Sequence, residues 1–193
     1  MSASAELSGH GIWVRDRFIA PEQIHSLLEC VQAREARGDF APARIGGRGS
    51  AQRREEIRGD FTCWLRAPLY PAERSLLEQL EALRLELNRE ATLGLFELEL
   101  HYARYPPGAG YARHVDQPLG NTLRKVSLAL YLNVEWQPPD GGVLRIHETE
   151  RGTLDIEPVG GRLVCFLTPG REHEVLPARR ERLSISGWFR GRE

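Results

Sequence analysis

The spacing of apolar residues changes near Phe96 from helical to strand-like, and this change limits the folds open to the chain. Before it, segments that begin near Pro21 and Pro71 carry apolar residues at helical spacing, with proline where a first helical residue tolerates it. After it, seven or eight short strand-like runs follow without helical crossovers. This order predicts an α+β domain: a jelly-roll barrel, or double-stranded β-helix, with N-terminal helices packed on one sheet.

The chain length of 193 residues predicts one domain, residues 1–193. Residues 1–95 are expected to form a helical support, and residues 96–190 the jelly-roll core. Within the support, residues 38–60 are rich in glycine and arginine, so we expect a mobile loop that helps to grip a substrate.

Two of the strand-like runs alternate strictly, which places their polar side chains together on one face. The run 182–189 carries an arginine on this face, and an arginine that points into a barrel needs an anion as partner. The polar face of the run 126–133 is typical of a pocket wall. The two faces consist of Arg182, Ser184, Ser186 and Trp188, and of Ser127, Ala129, Tyr131 and Asn133.

The run that begins at Phe96 has one apolar face, which we expect the helices to cover. His101 and Tyr105 lie on its other face. We expect His101 to be a hydrogen-bonded structural histidine rather than a fourth metal ligand.

His114 and Asp116 are two residues apart on a predicted strand, so their side chains point the same way and can hold one ion. About one such pair is expected by chance in this composition, so the pair alone is weak. His173, just before another strand-like run, is the best third ligand. Two imidazoles and one carboxylate that leave positions open are the arrangement of non-haem Fe(II) oxygenases. In that chemistry, the anion for Arg182 is the distal carboxylate of 2-oxoglutarate.

Two other protein classes stay open on the residues alone. A zinc hydrolase uses two histidines and an aspartate, but it has no use for an inward Arg182 beside Tyr131. A non-catalytic jelly-roll binding or sensor protein keeps the barrel without turnover. Release of succinate separates the oxygenase from both.

Short segments between Tyr105 and Trp188 are similar to those of one enzyme family. They are Tyr105-Pro106, Gly110-Tyr111, Arg113–Asp116, Tyr131–Asn133, Gly141–Ile146, Asp155–Pro158, His173–Val175 and Arg182–Trp188. Upstream, Ile57–Asp60 with Trp64 resembles the same family's substrate-side loop. On these residues the chain resembles the 2-oxoglutarate- and iron-dependent prolyl hydroxylases of the hypoxia-factor (egg-laying-nine) type and their bacterial relatives.

The resemblance implies that His114, Asp116 and His173 are the catalytic iron ligands. It also implies that Arg182 and Tyr131 bind the distal carboxylate of the co-substrate. The spacing from His173 to Arg182 fits this family rather than the nucleic-acid dealkylases, whose signature carries a second arginine further on.

Further site residues follow from the same resemblance. Tyr105, Ser186 and Trp188 would complete the co-substrate pocket. Arg58 and Asp60 would belong to the substrate loop. We also expect Asp60 to pair with Arg124 and so to set the closed position of this loop.

The activity implied is hydroxylation of a prolyl residue in a protein or peptide (prolyl 4-hydroxylase), with Fe(II), 2-oxoglutarate and O2 as cofactor and co-substrates and with succinate and CO2 released. The bacterial relatives suggest a translation elongation factor as the partner. Hydroxylation of a free amino acid or other small molecule is the alternative.

Composition adds expectations about location and partners. The net charge of −1 lacks the basic excess of a nucleic-acid binder, and no apolar run is long enough to span a membrane. Residues 1–11 lack signal-peptide features, and three scattered cysteines suit a reducing compartment. We therefore expect a cytoplasmic protein, and a monomer. Lys125 is the only lysine among 26 basic residues, which we interpret as a bacterial coding bias.

Overall fold

The computed structural model describes residues 3–46, 52–117, 122–149 and 152–192, which form three α-helices and eleven β-strands. The helices are α1 (Ala3–His10), α2 (Pro21–Ala36) and α3 (Pro71–Ala91), and a short 3-10 turn covers Pro138–Asp140. The strands are β1 (Ile12–Arg15), β2 (Ala41–Pro42), β3 (Phe61–Trp64), β4 (Glu97–Tyr105), β5 (Tyr111–His114), β6 (Arg124–Tyr131), β7 (Leu144–Thr149), β8 (Gly152–Ile156), β9 (Leu163–Leu167), β10 (His173–Val175) and β11 (Arg182–Arg190). Among these residues, no helix has the length and apolar character needed to cross a membrane.

The strands form two antiparallel sheets. The large sheet has the order β1-β9-β6-β11-β4-β3-β2, and the small sheet has the order β5-β10-β7-β8. Ser184 in β11 lies opposite Tyr131 in β6 and Ala103 in β4, so the three central strands run side by side. The predicted α+β jelly-roll is confirmed.

The helices cover one face of the large sheet, as the strand periodicity predicts. Leu76, Leu80, Leu83 and Leu87 of α3 are buried in one core with the apolar faces of β4, β6 and β11. Helix α1 also packs on α3 and buries Leu7. The sequence pattern did not predict α1. The opposite face of the sheet is left to form the pocket with the small sheet.

A buried ion pair joins the helices to β4. Arg34 of α2 binds Glu73 of α3 through two hydrogen bonds of 2.6 and 2.7 Å, and the hydroxyl of Tyr102 donates a third to Glu73 at 3.1 Å. Burial opposes ionisation of Glu73, but the hydrogen bonds from Arg34 and from the backbone N–H of Tyr70 outweigh it and hold the pKa of Glu73 below its ordinary value. The pair therefore fixes the position of a strand that lines the pocket.

The expected loop 38–60 is partly regular where the structure describes it. Strand β2 pairs with β3, and Ile45 bridges Gln52. Arg58 then bridges Tyr111 of β5, so the end of the loop reaches the small sheet. Residues 47–51 of the loop lie outside the described residues, and the mobility of the loop stays a prediction.

Candidate active site

Three side chains converge between the two sheets. His114 ends β5, Asp116 follows it, and His173 begins β10, directly opposite His114 in the strand register. The possible ligand atoms of the three residues lie within 4.8 Å of one another. Nε2 of His114 lies 3.5 Å from Oδ1 of Asp116, and Nε2 of His173 lies 3.5 Å from Oδ2. The predicted set is therefore brought together.

Backbone carbonyls orient both imidazoles. Nδ1 of His114 donates to the carbonyl of Ala112 at 2.8 Å, and Nδ1 of His173 donates to the carbonyl of Arg171 at 3.1 Å. These hydrogen bonds place the proton on Nδ1 and leave the Nε2 lone pair free on the side of Asp116. Histidines that ligate a metal ion are typically held in this way.

The carboxylate of Asp116 is held from the large sheet. The hydroxyl of Ser127 donates to Oδ2 at 2.8 Å, and Ser127 also shares a 2.9 Å hydrogen bond with Thr168. Burial alone would raise the pKa of Asp116, but the neighbouring His173 and His114 outweigh it and hold that pKa well below its ordinary value. Burial likewise lowers the pKa of His173. An ionised aspartate and a neutral histidine are the states that bind a metal ion.

The co-substrate end of the pocket contains a buried arginine. Arg182 is 2% exposed, and its Nε donates to the carbonyl of Gly142 at 2.9 Å. In the described part of the chain it forms no ion pair with an acidic residue. Its guanidinium lies 5.1 and 5.2 Å from the ring centres of Tyr131 and Tyr105.

The hydroxyl of Tyr131 is also buried without a hydrogen-bond partner among the described residues. A buried cation without an acidic partner and a buried hydroxyl without an acceptor are costly unless a ligand supplies the missing acceptor. A carboxylate supplies such an acceptor for both groups. The arrangement fits the far end of 2-oxoglutarate, beside a donor set that fits Fe(II).

The remaining predicted co-substrate residues also line the pocket. Ser186 lies on its wall and exchanges a 3.1 Å hydrogen bond with Ser184. Trp188 faces the same space, and its indole Nε1 has no hydrogen-bond partner in the described ranges. The guanidinium of Arg124 lies 3.3 Å from the centre of a Trp188 ring.

Known proteins are similar to this chain in sequence and in fold. A family model described as the 2OG-Fe(II) oxygenase superfamily matches residues 100–190. The crystal structure of a Pseudomonas putida prolyl-4-hydroxylase is 40% identical, with a TM-score of 0.88, and the match covers 98% of this chain and 97% of that one. The chain belongs to the 2OG-Fe(II) oxygenase superfamily.

Two further relatives support the membership of this chain in the superfamily. Human Egl nine homolog 1 is 33% identical over 95% of this chain and 44% of its own length. The chain spans about half the length of the human, rat and mouse proteins of that name. A Trichoplax adhaerens prolyl hydroxylase, in complex with a peptide of hypoxia inducible factor, is 26% identical, with a TM-score of 0.87 and coverages of 97% and 86%. The family confirms the predicted cofactors, Fe(II), 2-oxoglutarate and O2.

One contact that was predicted from the sequence is wrong. Asp60 does not pair with Arg124. It binds Arg58 instead, at 2.7 and 3.1 Å, because residues two apart in an extended segment share one side. Arg124 donates to the backbone carbonyl of Asp116 at 2.9 Å and lies 3.8 Å from Glu99.

Two smaller expectations also need correction. His101 is buried, but its Nδ1 has no hydrogen-bond partner within the described ranges, and the ring instead stacks on Trp188 with centroids 5.7 Å apart. Burial lowers the pKa of His101 to about 4, so this histidine is neutral. Asn133 does not line the pocket: its side chain joins the carbonyl of Pro158 and the N–H of Leu183.

Sequence reasoning missed three contributions to the site. Ser127 was placed on the correct face by strand alternation, but no pattern showed that it reaches Asp116. The carbonyls of Ala112 and Arg171 leave no signal in side-chain chemistry. Tyr111 was part of the family resemblance, yet its ring stacks on His114 with centroids 3.5 Å apart, which only the structure reveals.

Proposed function

We propose that the chain is a 2-oxoglutarate- and Fe(II)-dependent prolyl 4-hydroxylase that acts on a prolyl residue of a protein or peptide. The observation that carries this proposal is that, among the described residues, Arg182 has no acidic partner and the hydroxyl of the adjacent Tyr131 has no hydrogen-bond partner, in a pocket shared with the His-Asp-His cluster. A zinc hydrolase needs the cluster alone. An oxygenase of this family needs both halves of the pocket.

His114, Asp116 and His173 would hold the iron. Their side chains approach from one side, and the carbonyls of Ala112 and Arg171 and the hydroxyl of Ser127 fix their directions. When bound, iron and 2-oxoglutarate supply the oxygen chemistry that places a hydroxyl group on substrate, with release of succinate and CO2.

Arg182 would bind the distal carboxylate of 2-oxoglutarate through its guanidinium, while Tyr131 donates its hydroxyl to the same group. The N–H of Arg182 that binds Gly142 keeps the guanidinium plane in place. Tyr105, which is 4% exposed, closes the wall beside it. These residues therefore orient the co-substrate and exclude water.

The other side of the pocket reaches the protein surface. Trp64 is 40% exposed, and its ring lies 4.8 Å from His101 and 6.4 Å from Trp188. The neutral His101 contacts both indoles, and the guanidinium of Arg124 lies over Trp188, so this side has an aromatic wall with a cation at its edge. Aromatic faces of this kind suit packing against a prolyl ring.

A protein substrate is supported by two features. The long segment 38–60 contributes Arg58 to the pocket lining, and long segments on a rigid barrel commonly bind partners. The solved structure of the Trichoplax adhaerens relative is a complex with a peptide fragment of hypoxia inducible factor. We further propose that the chain acts as one catalytic domain and a monomer in a bacterial cytoplasm, with a translation elongation factor as its substrate.

Mass spectrometry of a treated lysate tests the proposal. The purified chain is incubated with lysate, Fe(II) and 2-oxoglutarate, and prolines that gain about 16 Da, one oxygen atom, are sought. The matched control is the His114→Ala variant. We expect new hydroxyprolines on one or a few proteins, together with succinate.

Two results would overturn the proposal. Added oxygen on free metabolites alone would establish the small-molecule alternative. Absence of succinate with every lysate would leave a binding protein or a hydrolase.

A further inference from the structure

A stack of side chains connects the end of the loop to one proposed iron ligand. The ring of Tyr111 lies on the ring of His114, with centroids 3.5 Å apart and planes inclined by 15°. The guanidinium of Arg58 lies over the same tyrosine ring, 4.7 Å from its centre. Stacking of a guanidinium on an aromatic face is favourable, and more so when both groups are shielded from water.

Arg58 is itself held in place. Asp60, which is 2% exposed, accepts two hydrogen bonds from it at 2.7 and 3.1 Å. Burial opposes the charged form of Arg58, but these hydrogen bonds outweigh it and raise the pKa of Arg58 above its ordinary value. A two-point contact sets the plane of the guanidinium as well as its position.

The backbone of the same segment binds the strand that carries His114. The N–H of Ala112 donates to the carbonyl of Ile57 at 2.8 Å, and the N–H of Gly59 donates to the carbonyl of Gly110 at 3.0 Å. Ala112 also provides the carbonyl that orients His114. One residue of β5 thus touches both the loop and the proposed iron ligand.

Strand β5 has further support within the small sheet. It is four residues long and stands at the edge of that sheet beside β10, and its Arg113 forms an ion pair with Glu172. Its pairing with β10 is irregular between His173 and Val175. A short edge strand gains few ladder hydrogen bonds, so the loop contacts add directly to what holds His114 in place.

We propose that Arg58 and Tyr111 are positioning residues that fix the imidazole of His114 for metal binding and so couple the segment 57–60 to the metal centre. This inference rests on the proposed function, because it takes His114 as a metal ligand. By linkage, a partner that binds the loop and shifts Arg58 changes metal affinity, and the metal changes the affinity for that partner by the same factor.

The test uses Co(II) alone, titrated into metal-free protein without 2-oxoglutarate. Its visible absorption reports both affinity and ligand geometry. Tyr111→Leu removes the stacked ring, and Arg58→Met removes the guanidinium at similar length. Tyr111→Phe keeps the ring. Arg54→Met is the matched control, since Arg54 lies on the same loop and pairs with the exposed Glu56.

We expect Tyr111→Leu and Arg58→Met to weaken Co(II) binding by about tenfold and to alter the absorption bands, as supporting residues of metal ligands typically do. Tyr111→Phe and Arg54→Met should bind Co(II) like the unchanged protein. A stack that serves only the stability of the fold would lower the free energy of unfolding and leave the affinity and bands unchanged.

Unchanged Co(II) affinity and spectra in folded Tyr111→Leu and Arg58→Met proteins would overturn the inference. If either variant does not fold, Arg58→Lys decides, because it keeps the charge but loses the planar two-point contact. The His173→Ala variant separates this outcome from failure of the proposed function. If Co(II) binding does not depend on His173, the three proposed ligands do not form the metal site, and the proposed function fails.

Discussion

The hydroxyl of Ser127 donates a hydrogen bond of 2.8 Å to Oδ2 of Asp116, which joins β6 of the large sheet to the carboxylate that follows β5 of the small sheet. The two oxygens of Asp116 face different imidazoles, each at 3.5 Å. Rotation of the carboxylate would disturb both contacts. Ser127 therefore fixes the orientation of the Asp116 carboxylate relative to both imidazoles.

Ser127→Ala should weaken Co(II) or Fe(II) binding by about tenfold, because the carboxylate loses the hydrogen bond that orients it. Metal titration of the apo protein measures the effect. Ser184→Ala is the matched control: this buried serine lies on β11 and binds Ser186, not Asp116. Equal metal affinity in the two variants would contradict this role of Ser127.

His114→Ala, Asp116→Ala and His173→Ala should each abolish turnover, because three ligands act as one unit. The double variant His114→Ala/His173→Ala should be no worse than either single change. Succinate release measures activity, and circular dichroism checks that the fold is kept. Activity retained in His173→Ala would place the third ligand elsewhere.

Arg182→Lys should raise the KM for 2-oxoglutarate by about tenfold to a hundredfold, since lysine keeps the charge but cannot make two parallel hydrogen bonds. Tyr131→Phe should have a smaller effect in the same direction. Arg145→Lys, in an exposed ion pair on the outer side of the small sheet, is the control. An unchanged KM in Arg182→Lys would remove Arg182 from the co-substrate site.

The Arg34–Glu73 pair should make stability depend on pH. Because the folded-state pKa of Glu73 is lowered, the pair stabilises the fold above the unfolded pKa of about 4.3, and this contribution is lost as the pH falls through the lower folded value. Glu73→Gln should cost about 3 to 5 kcal/mol near neutral pH and progressively less in acid. Urea unfolding across this range measures the difference.

Glu56→Gln is the control for this prediction, since the Arg54–Glu56 pair is exposed. A cost of Glu73→Gln that stays constant from neutral to acid pH would show that the carboxylate charge is not the source of the stabilisation.

Replacement of residues 46–51 by Asn-Gly should reduce hydroxylation of the protein substrate by about tenfold. Ile45 and Gln52 form two backbone hydrogen bonds of 2.9 Å with each other, so a two-residue turn can join them. Arg58 and Asp60 are kept, and Co(II) and 2-oxoglutarate binding should therefore be unchanged. Full hydroxylation by the shortened protein would remove this segment from substrate binding.

Strand alternation was sufficient to predict much of the site. His114, at the end of β5, and Asp116, two residues later, reach the same site as alternation predicts, and Arg182 and Trp188 share one face of β11. These relations are local, so they hold whatever the order of the strands in the sheets. The apolar stripe Leu76–Leu87 was equally predictable, because a repeat of about 3.6 residues over a long segment indicates an amphipathic helix.

Contacts between segments distant in sequence could not be predicted in this way. Asp60 does not meet Arg124, and His101 stacks on Trp188, because of the places that the strands take in the two sheets. The stack of Arg58, Tyr111 and His114 requires the end of the loop to cross to the small sheet.

The sequence by itself determined the donor types, the inward arginine and the change from helices to strands near Phe96. Only the tertiary structure decided which oxygen of Asp116 meets which imidazole, and that Ser127 and Ala112 hold them there. The physical reason is that periodicity specifies the direction of a side chain along its own strand. Sheet packing specifies its distance from every other strand.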